Sequence, residues 1–168
     1  PARDDFPCPI ALISGVRTLD DVMRGEETQL IGSCALEASS RSGSEVRRWV
    51  ILPGTHSKHV TVSGARAVSF RTYMTGEVFA LLSRQSVLAH SLAGGSVPGD
   101  DDPDSFAAGV RAGAAGNLLH AAFRVRTRAL LEDVGPAANY HYLSGLLIGA
   151  ELRDLAGEQV AVTLVASG

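Results

Sequence analysis

The 168-residue chain is poor in cysteine, with only Cys8 and Cys34. Two cysteines cannot make the disulfide framework of a small secreted domain, and neither belongs to a CxxC pair or a zinc pattern. Both read as reduced thiols of a cytoplasmic protein, with Cys34 packed on a helix. Long apolar runs are also missing. None approaches the roughly 18 residues that span a bilayer, and Pro1 to Pro9 carry no signal-peptide pattern, so no membrane partner is expected. There is no basic excess: the formal net charge is −3. That argues against a nucleic-acid partner, which needs a clear surplus of Lys and Arg, but leaves room for a local basic pocket around an anionic ligand. No internal repeat, clear linker or complete P-loop is present. The aspartates Asp100, Asp101, Asp102 and Asp104 lack calcium-loop spacing and read as a solvated acidic loop. The metal ligands are therefore left unknown.

What is present is the composition of a globular protein, 45% hydrophobic and 20% charged, in a chain long enough to bury a sizeable core. Ile10–Ile13 is a candidate short strand, and Ser14 to Asp21 reads as a loop. Glu26 to Ala38 predicts a helix: Leu30, Ile31, Cys34 and Ala35 recur at helical spacing, with acidic residues in the first turn. Ser39 to Glu45 is a polar loop. Trp49 to Leu52 predicts a buried strand, Val60 to Val62 a second, and Ala67 to Thr72 a third that returns through a Ser63-Gly64 turn. Val78, Phe79, Leu81, Leu82 and Val87 imply a helix beginning near Gly76. After a Gly/Pro/Asp loop over 93–105, three helices are expected, over 106–116, 118–131 and 137–155. In the second of these, Leu119, Phe123, Leu130 and Leu131 count among the apolar positions, and Arg124, Arg126 and Arg128 read as surface and packing arginines. Gln159 to Val165 is expected as a buried closing strand. Strands followed by helices, then a helix feeding a strand, predict an α/β layer fold.

Four stretches concentrate the polar chemistry. Pro53-Gly54 ends a strand, and Thr55, His56, Ser57 and Lys58 follow at once. Glycine admits close approach of a ligand, and backbone N–H groups with hydroxyls and an amine suit phosphate oxygens; an ordinary polar turn is the competing reading. Asp21 to Gln29 carries Arg24, whose planar fork suits a carboxylate or phosphate. The same stretch holds Glu26 and Glu27, either able to accept a proton or simply to favour a helix N-terminus. Phe70 to Glu77 gathers Arg71, Thr72, Thr75 and Glu77 at a strand-to-helix join, or forms a salt-bridged surface corner. Leu143 to Leu152 holds Gly145 and Gly149 four residues apart, a spacing that allows another backbone close approach and by itself signals tight packing.

Taken together, Asp21-Val-Met-Arg-Gly-Glu-Glu-Thr-Gln-Leu-Ile-Gly32, Leu52-Pro-Gly-Thr-His-Ser-Lys58, Phe70-Arg-Thr-Tyr-Met-Thr-Gly-Glu77 and Leu143-Ser-Gly-Leu-Leu-Ile-Gly-Ala-Glu-Leu152 resemble the 2-dehydro-3-deoxygalactonokinase family in order and spacing, from about Asp21 to Gly168. The resemblance implies part of an actin/hexokinase-like (ribonuclease H-like) sugar kinase fold. It also implies an ATP- and Mg2+-dependent transfer of a phosphoryl group to the 6-hydroxyl of 2-dehydro-3-deoxy-D-galactonate, in galactonate breakdown. Residues 1–48 would be the remainder of an N-terminal lobe and 49–168 an incomplete nucleotide-side lobe. The family's Asp-containing phosphate hairpin is absent here, the chain stops at the turn after the last strand, and His59 stands where a tryptophan is common. The chain does not begin with methionine and ends abruptly, which reads as a piece of a longer protein, inactive alone.

The roles implied are these. Gly54, Thr55, His56, Ser57 and Lys58 hold phosphate. Glu26, or nearly as well Glu27, serves as base. Arg24 or Arg71, with Thr72, Thr75 and Glu77, binds the sugar acid. Gly145, Gly149, Ser167 and Gly168 lie on the nucleotide side. A homodimer is left open. The alternatives are a non-catalytic sugar-acid or nucleotide binder on the same fold, a hydrolase using His56, and a structural interaction domain.

Overall fold

The computed structural model describes residues 14–40, 47–95 and 101–166. The strand expected at Ile10–Ile13, Cys8, Asp100 and the candidate residues Ser167 and Gly168 lie outside the described residues. Two compact units form. Of the described residues, one comprises 14–40, 47–52, 59–72 and 162–166; the other comprises 53–58, 73–95 and 101–161.

In the first unit, β1 (Val16–Arg17) and β2 (Val22–Met23) make a short antiparallel ribbon with Val16 opposite Met23. The stretch 14–21, expected as loop, thus contains a strand. Gly25 follows at φ +110°, a conformation open to glycine and costly for other residues. It leads into α1 (Glu26–Ser40), whose first turn carries Glu26 and Glu27.

The sheet is built from β3 (Arg47–Leu52), β4 (Ser57–Ser63), β5 (Arg66–Tyr73) and β6 (Ala161–Leu164), in the order β5-β4-β3-β6. The connections from β3 to β4 and from β4 to β5 are too short for a crossover, so these neighbours run antiparallel. Alternation places Val50, Leu52, Val60, Val62 and Phe70 in one apolar cluster with Met23 and Leu30, and Cys34 packs against it. Val60 and Val62 are wholly buried; each such side chain contributes roughly 1.5–3 kcal/mol. Central β4 is buried along nearly its whole length, as a strand covered on both faces must be. The closing strand departs from expectation. It is shorter, and at the sheet edge beside β3 it is largely exposed, with Val162 and Leu164 each more than half accessible.

The second unit is helical: α2 (Thr75–Gln85), α3 (Ala89–Leu92), α4 (Pro103–Ala115), α5 (Leu118–Leu131) and α6 (Pro136–Leu152), with a 3-10 turn at Arg153–Leu155. The helix expected to run on to Val87 ends at Gln85. Helix α4 starts early because Pro103 sits at its first turn and Asp102 caps it, accepting from Ser105 N–H at 2.9 Å. Asn117 caps α5 in the same way.

Helix α6 is the centre of this unit and packs against α2, α3, α4 and α5. Leu143 and Leu146 are fully buried. Arg128 is a packing arginine: its guanidinium stacks 4.4 Å from the Tyr142 ring, and its Nε donates to buried Asn139. Ala121, Ala122 and Val125 form the inward face of α5, whereas Leu119, Phe123, Leu130 and Leu131 are exposed. No helix among the described residues is long and apolar enough to cross a membrane.

Candidate functional site

Strand β3 ends where Pro53 removes a backbone donor. Residues 53–56 are exposed and β4 begins at Ser57. The run of polar residues after the turn is therefore cut in two by burial. Thr55 and His56 face solvent, while Ser57 and Lys58 are each only 3% exposed. Lys58, the chain's only lysine, points its Nζ at the His56 carbonyl, 2.8 Å away.

The turn is seated on the start of α2. Glu77 N–H donates to the Thr55 carbonyl at 3.1 Å. A Cβ on Gly76 would lie 2.8 Å from Gly54 O and from Thr55 Cα, so only glycine lets the helix start sit this close. His56 Nε2 meets Glu77 Oε2 at 2.5 Å, both side chains roughly half exposed. Beneath the turn, Glu151 near the end of α6 is 8% exposed. Its Oε1 accepts from Ser57 Oγ at 2.7 Å and its Oε2 accepts from Thr75 Oγ1. Two hydroxyl donors offset part of the cost of burying a carboxylate. An open cavity of about 300 Å³ adjoins, lined among others by Tyr73, Thr75, Val78, Leu147, Glu151 and Asp154. Tyr73 O–H donates to Asp154 at 2.9 Å.

Of the sequence candidates, this unit brings together Gly54, Thr55, His56, Ser57, Lys58, Thr75 and Glu77. Gly145 and Gly149 are engaged elsewhere in it. A Cβ on Gly145 would lie 2.1 Å from Phe106 O, and one on Gly149 2.2 Å from Val110 O. The backbone of α4 packs against both glycines on that face. Tight packing, the competing reading of these glycines, accounts for them.

In the first unit, Glu26 Oε2 accepts from Arg24 N–H at 3.1 Å, and Glu27 Oε2 accepts from Gly25 N–H at 2.6 Å. Both carboxylates fold back on the loop that precedes their own helix, where its positive end favours them. Arg24 and Arg71 are exposed. Thr72 is tied down by Asp21, whose carboxylate accepts from Thr72 N–H at 2.6 Å and from its hydroxyl at 2.5 Å, and also from Val22 N–H at 2.8 Å.

Two structural carboxylates, Asp21 and Glu151, were not singled out by sequence reasoning. Their hydroxyl partners lie 51 to 94 residues away in the chain, and only their presence inside the shared motifs hinted at them. The acidic loop contributes a helix cap: hydrogen bonds from Ser105 hold the Asp102 carboxyl below its ordinary value of 3.8. Among the described residues no group of three or more His, Cys, Asp or Glu side chains is placed to hold a metal ion.

Residues 7–168 match the family model described as 2-keto-3-deoxy-galactonokinase. The chain is 42% identical over 151 residues to the 2-dehydro-3-deoxygalactonokinase of Escherichia coli K12, covering 87% of this chain and 47% of that protein. It is 39% identical over 186 residues to the Rhizobium meliloti protein named "Probable 2-dehydro-3-deoxygalactonokinase DgoK1", covering 99% of this chain and 55% of that one. The "Crystal structure of a putative 2-dehydro-3-deoxygalactonokinase protein from Sinorhizobium meliloti" superposes with a TM-score of 0.78 at 35% identity, over 88% of this chain and 47% of that one. The chain thus spans about half the length of the relatives it matches. It belongs to the 2-keto-3-deoxy-galactonokinase family.

Proposed function

We propose that this chain supplies part of a sugar-acid kinase that transfers the γ-phosphoryl group of ATP to the 6-hydroxyl of 2-dehydro-3-deoxy-D-galactonate in galactonate breakdown. The observation that carries the reading is the family match over residues 7–168, which includes all four polar motifs. The fold is then that of the actin/hexokinase-like kinases.

Phosphoryl transfer is chiefly positioning and electrostatic stabilisation, and this chain's residues are suited to both. On the phosphate side stands the segment Gly54–Lys58. The open space around Gly54, where an added Cβ would meet nothing within 4 Å, leaves its backbone approachable by phosphate oxygens. The Lys58 ammonium adds positive charge behind the turn. On the acceptor side stand Glu26 or Glu27 as base and Arg24 or Arg71 for the substrate carboxylate, a bidentate match. Thr72 belongs to the same unit as these, and Thr75 and Glu77 to the unit of the turn. Magnesium bound with the nucleotide would supply further positive charge to the phosphate oxygens.

The test is ADP release by the full-length protein with a panel of 2-keto-3-deoxy sugar acids. Release that requires the sugar acid is expected. Nucleotide binding without turnover would favour the non-catalytic binder instead. In the same assay Glu26→Gln is expected to lower kcat by about 10²–10⁴-fold, the usual range for loss of a general base. Near-normal kcat removes Glu26 from that role and leaves Glu27.

A further inference from the structure

The bonds around Glu151 bear on which atoms of the phosphate-side segment are available to a ligand. Ser57 directs its hydroxyl proton to Glu151 Oε1, 2.7 Å away, and Thr75 directs its own to Oε2. Glu151 and Ser57 are buried at 8% and 3% exposure, so water competes little for the Ser57 bond, while the Thr75 bond is part-buried beside the open cavity. One carboxylate therefore ties the first residue of β4, just behind the turn, to the first residue of α2, on which the turn is seated through Glu77 N–H and the Gly76 contact. Lys58 is equally buried, with its ammonium against the His56 carbonyl. The groups that face outward are those of Gly54, Thr55 and His56.

We infer that Glu151 is a positioning residue for the phosphate-side turn: through Ser57 and Thr75 it sets the place of residues 53–56, and direct contact with phosphate oxygens falls to Gly54, Thr55 and His56, not to Ser57 or Lys58. The inference rests on the kinase reading above for its functional half and on the hydrogen bonds alone for its structural half. A carboxamide at position 151 keeps the shape but replaces one acceptor oxygen by a donor. The hydroxyl that faces the new amide can then only accept from it, so a charge-assisted bond becomes a weaker neutral one and its hold on the turn is reduced.

The experiment is Glu151→Gln in the full-length protein, read by backbone hydrogen exchange and by steady-state kinetics. Exchange at the amides of residues 54–58 is expected to accelerate about tenfold or more while the α4 and α6 amides hold their rates, since local opening reports local ties. A kcat lower by about tenfold to a hundredfold, with the sugar-acid KM within about twofold, is the expected kinetic result, the usual size of a small misplacement of reacting groups. Ser57→Ala, which removes only one bond and is a milder change should Glu151→Gln fold poorly, is expected to shift both readouts in the same direction by less. Exchange that is unchanged at 54–58, or that rises equally throughout the chain, overturns the inference, and so does a loosened turn with normal kcat. If the unaltered protein shows no sugar-acid-dependent ADP release, the kinase reading fails instead, and the exchange data alone decide whether Glu151 sets the turn.

Discussion

The α4–α6 helix pair and the Pro53–Lys58 turn both depend on glycine, for different reasons. In the pair, four glycines face opposing backbone. A Cβ on Gly109 would lie 2.1 Å from Tyr142 O and one on Gly113 2.0 Å from Leu146 O, and Gly145 and Gly149 meet α4 in return. At the turn, Gly54 has open space around it, and the crowded position is Gly76, one element away. Glycine in the first region makes a rigid joint between two regular elements. In the second it lets a helix start seat an irregular segment whose outer surface stays accessible. The same residue type therefore marks architecture in one place and a candidate ligand surface in the other. What surrounds the missing Cβ tells them apart.

The comparison is most exposed to failure at the helix pair. Gly113→Ala forces a methyl group against a carbonyl that belongs to another helix and cannot turn aside. Overpacking of this kind costs about 3 kcal/mol, or roughly 6–12 °C in Tm for a chain of this size. Gly145→Ala, the reciprocal change, is expected to cost as much. Thermal unfolding followed by circular dichroism measures both. A Tm within a degree of the unaltered chain would mean that the helices are not in backbone contact.

Much of the architecture was legible from residue periodicity, and the failures have physical causes. Helix α5 was readable to its ends because Asn117 caps it and its apolar spacing is helical. Which of its faces is buried was not readable. Both carry apolar residues, and the inward one uses small Ala121 and Ala122 where the larger Leu119 and Phe123 point outward. Close packing against α6 selects size, which a hydrophobic pattern does not encode. The Gly145/Gly149 spacing announced close approach but not its partner on α4. At the site, the turn residues were readable as a group from Pro53-Gly54 and the hydroxyls that follow. The line between exposed Thr55-His56 and buried Ser57-Lys58 depends on where β4 starts. The role of Glu151 was hidden for a related reason: an acidic residue near a helix end ordinarily lies in solvent, and its partners are 76 and 94 residues distant.

The turn gives a smaller and more selective effect. Gly76→Ala must push the exposed turn outward, since Gly54 O and Thr55 Cα stand 2.8 Å from the new methyl group. A surface segment yields more easily than a helix backbone, so about 1–2 kcal/mol is expected. Gly54→Ala meets no neighbour, and its stability should stay within about 0.5 kcal/mol of the unaltered chain. On the phosphate-side reading, both substitutions weaken nucleotide binding by the full-length protein, Gly54→Ala by crowding the ligand and Gly76→Ala by moving the turn. Calorimetric titration with ATP beside a melting curve separates affinity from stability. A Gly54→Ala protein with unchanged affinity would take Gly54 out of the ligand surface and leave the contrast with the helix pair purely structural.

The smallest effect is expected at the start of α4, where a cap and not a glycine orders the helix that carries Gly109 and Gly113. Asp102 accepts from Ser105 N–H, and that bond, ahead of the Ser105 hydroxyl and the charge of His141, lowers its carboxyl below 3.8. A carboxyl whose folded value is depressed contributes stability that is present above its unfolded value and is lost as pH falls through the folded value. Asp102→Ala should therefore lower Tm slightly at pH 7, and the gap to the unaltered chain should close as pH falls below 3.8. Asp102→Asn keeps an acceptor oxygen at every pH, so its Tm should lie near the unaltered value at pH 7 and follow a flatter course into acid. If Ala and Asn behave alike at pH 7, the Ser105 bond does not order α4. The placing of the two α4 glycines against α6 would then rest on the helix contact alone.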